Sequence, residues 1–244
     1  MEAQLSSPTI IALSGSIGAG KTTAGRDLVA LCGQNAKFYE EQLPDYVCKL
    51  LAKSNDDPLR WMELFQAVMV TRAAMREQEV SRSGIAFVER PLEESWVFGK
   101  ANFAIGRLSL EFYRDVYAKL HAEYKSGLRY ALIVFLYVRE ETAAQRRAVR
   151  GRPAEDRYGE AYTNALTDAY FEWVLECCAE GRMLVVDWNE FQPTRTLLSA
   201  VVRALAKPEA LRFSMPPPRG IEDLAQRRQY QNEVLSSIAA QHAA

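Results

Sequence analysis

The chemistry in this chain begins at Gly15-Ser16-Ile17-Gly18-Ala19-Gly20-Lys21-Thr22, which satisfies G-x-x-x-x-G-K-[ST] at every fixed position. Glycines let successive backbone N–H groups turn inward and form a concave nest for phosphate oxygens. Gly15, Ser16, Gly18, Ala19 and Gly20 supply that nest, and Lys21 adds a mobile positive charge for the outer phosphates. The Thr22 hydroxyl is suited to a Mg²⁺ ion bridging those phosphates, and the helix opening at Thr22-Thr23 directs its positive dipole end toward them. The motif predicts binding of a nucleoside triphosphate.

Three further groups have the right types for phosphoryl chemistry. Glu40 and Glu41 close a short apolar run, where ligands of open α/β sheets gather, although an acid at a strand end can equally be only solvated. Glu89-Arg90 closes another run, pairing an acid able to hold Mg²⁺ or its water with a cation for the transferred group. Arg146, Arg147, Arg150 and Arg152 crowd into seven residues around Gly151, as a solvated basic face or as a lid closing on phosphate; beside a phosphate loop the lid is the better account. Gln66 lies among apolar residues and its amide must find a partner in protein or ligand. Arg72 shares the side of Trp61 and Phe65, as an anion-binding group or as an arginine snorkelling at the rim.

Bulk properties exclude other classes. A net charge of −1 provides no global field for nucleic acid or an anionic membrane surface. The four cysteines lack C-x-x-C spacing and there are two histidines, His121 and His242, so a zinc site lacks its ligands. The longest apolar run, Ala131 to Val138, is too short to span a bilayer, and Met1-Glu2-Ala3-Gln4 does not resemble a targeting segment. These features predict a cytoplasmic protein that binds neither nucleic acid nor membrane.

The elements that must position these groups follow from periodicity. Thr9 to Ser14, Ala36 to Tyr39, Gly84 to Val88, Tyr130 to Val138 and Met183 to Val186 read as strands, the fourth apolar throughout as in a central parallel strand. Helices are predicted from Thr23 to Leu31, Pro58 to about Ser81, Leu92 to Asn102, Leu108 to Tyr124, across the arginine cluster, Glu160 to Glu180 and Pro193 to Ala206. Along the second of these, Trp61, Leu64, Phe65, Val68 and Met69 have the spacing of a buried face. Alternating strands and helices predict an α/β fold of the P-loop NTPase type, a five-stranded parallel sheet with helices on both faces. Residues 1–207 form that domain, with a lid at about 146–157; residues 208–244, entered through Pro216-Pro217-Pro218, read as an extension, part helical or disordered.

From Thr9 to Ala206 the order and spacing of these motifs resembles the deoxyribonucleoside kinases. The resemblance implies that Glu40 is the catalytic glutamate ending the second strand, with Glu41 the alternative because the usual following proline is absent. Trp61-Met62-Glu63-Leu64-Phe65-Gln66 is similar to the family's W-x-x-x-F-Q segment, which implies that Gln66 meets the nucleobase while Trp61 and Phe65 line or support its pocket. Glu89-Arg90 looks like its [DE]-R-S motif with Pro91 for serine, implying that Glu89 holds Mg²⁺ and Arg90 orients the acceptor. Arg146, Arg150 and Arg152 look like its lid, and Glu155 like the acid that follows it and holds the sugar 3′-hydroxyl. The tyrosine usual at that hydroxyl is replaced by Asn55 or Ser54, and the base-reading arginine of some members has Arg72 nearest and Ala73 in its place. Implied with these are ATP and Mg²⁺, a deoxynucleoside acceptor phosphorylated at its 5′-hydroxyl, and a homodimer. A nucleoside-monophosphate kinase and a non-catalytic nucleotide-binding scaffold are the rival readings.

Overall fold

The computed structural model describes residues 9–80, 84–126, 130–151, 159–215 and 221–243. Its centre is a five-stranded sheet in the order β2-β3-β1-β4-β5. The strands are β1 (Thr9–Ser14), β2 (Ala36–Tyr39), β3 (Ile85–Glu89), β4 (Leu132–Tyr137) and β5 (Met183–Asp187), and every pairing is parallel. Parallel neighbours require crossovers, so helices cover both faces and each strand buries alternate residues in opposite layers. On one face Ala12, Ile133, Phe135, Tyr137 and Val185 join the larger core; on the other Ile11, Leu13, Leu132, Val134 and Leu184 join the smaller one.

Helix α1 (Lys21–Cys32) lies on the smaller-core face with α9 (Thr194–Ala206), burying Leu28 against Leu197 and Val201. The other face carries α3 (Pro58–Gln78), α4 (Ser95–Ala104), α8 (Glu160–Ala179) and α2 (Asp45–Asp56). Helices α5 (Leu110–Phe112) and α6 (Lys119–Ser126) are joined through a π-helical turn, Tyr113–Ala118, and α7 (Glu140–Arg150) carries the arginine cluster. Because β1 sits between strands reached by crossovers in opposite directions, its carboxyl end opens on the crevice where such sheets bind ligands.

Two elements differ from the periodicity reading. The buried residues of α3 are Met62, Phe65, Gln66 and Ala73, while Leu64 is half exposed, so the inward face is rotated by about one residue. That rotation follows from α2, a helix absent from the periodicity reading, which packs along α3 and buries Val47, Leu51 and Ser54. The chain after residue 207 continues as a short turn and then α10 (Leu224–Ala243), which packs on β5 of the same chain through Val234, Leu235, Ile238 and Ala239. Its last turn is fixed by His242, whose Nδ1 accepts from the Val185 N–H at 2.9 Å while Nε2 lies 3.1 Å from the Leu211 carbonyl. Among the described residues no helix is long and apolar enough to cross a membrane.

Candidate active site

The phosphate loop connects β1 to α1 and holds Gly15, Gly18 and Gly20 at φ of 141°, 94° and 90°. A Cβ at Gly15 would lie 2.7 Å from the Leu136 carbonyl oxygen, and one at Gly18 equally close to that of Ala143, so both positions exclude side chains by contact as well as by φ. Lys21 is buried, and its Nζ donates to the Gly15 and Ser16 carbonyls at 2.8 and 3.0 Å. Burial, assisted by the Arg90 charge, lowers the Lys21 amine to about 8. The Thr22 hydroxyl donates to Glu89 Oε1 at 2.7 Å, joining the start of α1 to the end of β3.

Residues at the strand ends meet over this loop. Arg90 is the one described non-glycine residue with positive φ, 54°, and its Nε donates to Glu41 Oε2 at 2.7 Å. Its Nη1 donates to Glu94 Oε1 at 3.1 Å, and the guanidinium stands 4.4 Å from the Phe98 ring centre. Burial opposes the Arg90 charge, but Glu41 and Glu94 outweigh it and hold the guanidinium well above its ordinary value. Burial likewise pushes the Glu41 carboxyl up, and Arg90 and Arg76 reverse that, leaving it below the usual range and ionised. Glu94, fully buried and bonded to the Tyr170 hydroxyl, is shifted upward because burial prevails. The Glu41 N–H donates to Glu89 Oε2 at 3.1 Å, so Glu41, Glu89, Arg90 and Thr22 form one connected group.

Glu40 points elsewhere. Its carboxylate accepts from Arg26 Nη2 at 2.7 Å, in an ion pair whose side chains are 65% and 30% exposed, Arg26 first. The geometric reason is strand alternation: consecutive residues leaving β2 face opposite ways, and Glu41 faces Arg90.

A cavity of about 810 Å³ joins the loop to a pocket among the helices. At the loop end it is lined by Lys21, Thr22, Thr23, Glu89, Arg90 and Arg146, with Glu40 and Glu41 both at the wall. Farther in, Met62, Phe65, Gln66, Met69 and Phe98 give an apolar wall around one amide. Trp61 and Arg72 lie off this wall: Trp61 stacks beneath Lys53 and Arg60, and Arg72 donates to the Tyr46 hydroxyl and the Gln42 carbonyl. Ala73, next to Arg72, is at the wall instead.

Arg146 crosses from α7 to the loop after β5, donating to the carbonyls of Trp188, Asn189 and Ala19 at 2.8, 3.0 and 3.3 Å. Its guanidinium lies 4.1 Å from the Phe191 ring centre, and Phe191 also borders Gly20. Arg147 donates to the Ile17 carbonyl at 3.0 Å, and Arg150 reaches the cavity wall. Arg152 and Glu155 lie outside the described residues.

Several site residues escaped the sequence reading. Phe191, exposed and stacked by Arg146 beside the phosphate loop, lies in the loop after β5, where the strand-end rule applied to Glu40 and Glu89 could have found it. Asn102, Arg107 and Tyr162 close the pocket's far side but carry no spacing signal. Asn55, one of the two residues set by the resemblance at the position of the usual tyrosine, lines it too, with both carboxamide atoms buried and without a protein partner.

A deoxyadenosine kinase from Dictyostelium discoideum is 28% identical over 209 residues, covering 84% of this chain and 81% of its own. The structure of the deoxyadenosine kinase from M. mycoides with bound dCTP superposes with a TM-score of 0.66 at 21% identity, over 82% of this chain and 100% of the other. The same kinase with bound dATP gives 0.65 at 21% identity, over 81% and 100%. At that identity the likeness establishes the fold, five parallel strands with helices on both faces. The family profile described as deoxynucleoside kinase matches residues 11–207, four-fifths of the length and every residue that lines the cavity, and the chain therefore belongs to the deoxynucleoside kinase family, ATP-dependent enzymes that phosphorylate deoxynucleosides.

Proposed function

We propose that the chain transfers the γ-phosphate of ATP to the 5′-hydroxyl of a deoxynucleoside with Glu41 as general base. The observation that carries this assignment is the Glu41–Arg90 pair, 2.7 Å apart and placed where the phosphate loop meets the apolar pocket. Glu41 is ionised and takes the hydroxyl proton as the oxygen attacks; the γ-phosphorus–oxygen bond to ADP breaks as the new one forms. Arg90 holds the same hydroxyl in line. Glu40, turned to Arg26, is left the part of a rim residue.

Lys21, the loop amides, Arg146, Arg150 and Arg152 would neutralise charge on the phosphates, and Phe191 under Arg146 offers a stacking face for the donor base. The Thr22 hydroxyl and the Glu89 carboxylate, 2.7 Å apart, are adjacent oxygen donors of the kind Mg²⁺ takes, directly or through water. That ion would supply further charge neutralisation to the outer phosphates.

In the acceptor pocket Gln66 pairs with the base edge between Phe65, Met62 and Phe98, and Asn55 turns its unpartnered carboxamide to the sugar. Glu155 is assigned to the 3′-hydroxyl, and a cytoplasmic homodimer to the whole, on the family resemblance. The name of the Dictyostelium relative supports deoxyadenosine as an acceptor. An acceptor phosphate would face the Glu41 carboxylate at the cavity wall, which disfavours a monophosphate kinase.

A panel of the four deoxynucleosides, the ribonucleosides and their monophosphates, each with ATP, tests the reading. Conversion of deoxynucleosides to 5′-monophosphates with monophosphates left unchanged is the expected result; turnover of monophosphates alone would overturn it.

A further inference from the structure

Gln66 does not reach the pocket as a freely rotating amide. Its Oε1 lies 2.7 Å from the hydroxyl of Tyr117, and its Nε2 lies 3.7 Å from the Met62 sulfur. Tyr117 is fully buried in the π-helical turn Tyr113–Ala118 and does not touch the cavity. Its ring lies directly on Gly99 of α4, where a Cβ would sit 2.3 Å from the ring carbon Cγ. Phe112 and Tyr113 flank the ring at centroid distances of 6.1 and 6.2 Å. A one-residue expansion of a helix and a missing side chain on its neighbour thus cooperate to bring one phenol to one amide.

Both contacts select the same amide orientation. Burial pushes the Tyr117 phenol far above its ordinary value, so the group remains an O–H donor, matched by a carbonyl oxygen. The thioether sulfur of Met62 is a weak acceptor, matched by the amide N–H. Turning the amide by half a revolution would leave the buried phenol proton without an acceptor and set the carbonyl oxygen against sulfur.

We propose that Tyr117 is a positioning residue that fixes the order of donor and acceptor on Gln66 and thereby sets selectivity between amino-bearing and oxo-bearing nucleobases. The inference rests on the reading that Gln66 meets the base. Adenine and cytosine present an exocyclic N–H donor beside a ring-nitrogen acceptor; guanine and thymine present an exocyclic oxygen beside a ring N–H. At one placement of the base the two classes need opposite amide orientations. A fixed amide serves one class and leaves unpaired buried groups against the other. The class assigned to this orientation is the amino-bearing one, in keeping with the deoxyadenosine kinase to which the chain is similar.

The test is Tyr117→Phe, which keeps the ring against Gly99 and removes the hydroxyl. The ratio of kcat/KM for deoxyadenosine and deoxycytidine over that for deoxyguanosine and thymidine should fall by about tenfold, with the KM for ATP unchanged. A uniform change across all four nucleosides would assign Tyr117 a packing role only and overturn the proposal. Met62→Leu, which leaves Tyr117 untouched, should move the ratio the same way by about threefold; an unmoved ratio in a folded Met62→Leu protein also counts against the lock, including where Tyr117→Phe does not fold. Gln66→Ala separates the two levels: unchanged selectivity in that variant overturns the contact between Gln66 and the base, whereas lost selectivity there with an unmoved ratio in Tyr117→Phe overturns the lock alone.

Discussion

The two ends of the cavity are built on different principles. At the donor end the binding groups are already engaged with the protein's own backbone: Lys21 with the Gly15 and Ser16 carbonyls, Arg146 with those of Ala19, Trp188 and Asn189, Arg147 with that of Ile17. These bonds hold the loop's shape, and a triphosphate exchanges some of them for stronger charge-assisted contacts. At the acceptor end the wall is apolar and its polar groups are few and individually placed: Gln66 is held from behind by Tyr117, and Asn55 is left without a protein partner. The donor end therefore recognises charge on a backbone template, and the acceptor end recognises shape and hydrogen-bond order through side chains.

If that contrast is right, the two ends fail differently. Lys21→Met removes the one buried cation inside the loop, and kcat should drop by about 10³, measured with saturating nucleoside. Next in size is a pH effect confined to ATP. Lys21 titrates near 8 in the folded chain, below its ordinary 10.5, and phosphate binds the protonated amine. ATP affinity is accordingly full below about 8 and declines as pH rises through that value, approaching tenfold per unit, whereas nucleoside affinity should stay flat between pH 7.5 and 9.5. Parallel titrations of the two ligands check it, and equal slopes would erase the distinction. The smallest effect is expected at Asn55→Ala: the KM for the nucleoside rises about fivefold with the KM for ATP unaltered, while the melting temperature increases because a buried unpaired carboxamide is removed. A fall in melting temperature would show that Asn55 serves the fold.

How far each end can be read from the sequence follows from the same contrast. The phosphate loop was legible because its geometry is imposed on the backbone, and only glycine tolerates the carbonyls of Leu136 and Ala143 at 2.7 Å. The five strands were legible because burial on both faces leaves nearly continuous apolar runs such as Leu132 to Tyr137. The acceptor pocket was legible only in part, at Phe65 and Gln66. Helix α2 buries few residues, and without it the inward face of α3 could not be oriented, so the spacing set Trp61 and Leu64 on a face where Met62 and Gln66 are the buried residues. Tyr117 belongs to a π-helical turn whose extra residue changes the periodicity on which such readings depend. Glu40 and Glu41 are adjacent and chemically identical, and only the partners, Arg26 for one and Arg90 for the other, tell them apart.

That adjacency makes the most direct test. Glu41→Gln and Glu40→Gln, each isosteric, are to be compared in single-turnover phosphorylation of deoxyadenosine with ATP in excess, alongside ATP affinity. If Glu41 is the general base, Glu41→Gln slows phosphoryl transfer by a factor on the order of 10² to 10⁴ with ATP binding nearly intact, while Glu40→Gln stays within about threefold of the parent. The reverse pattern, with Glu40→Gln slowed and Glu41→Gln close to the parent, would contradict it.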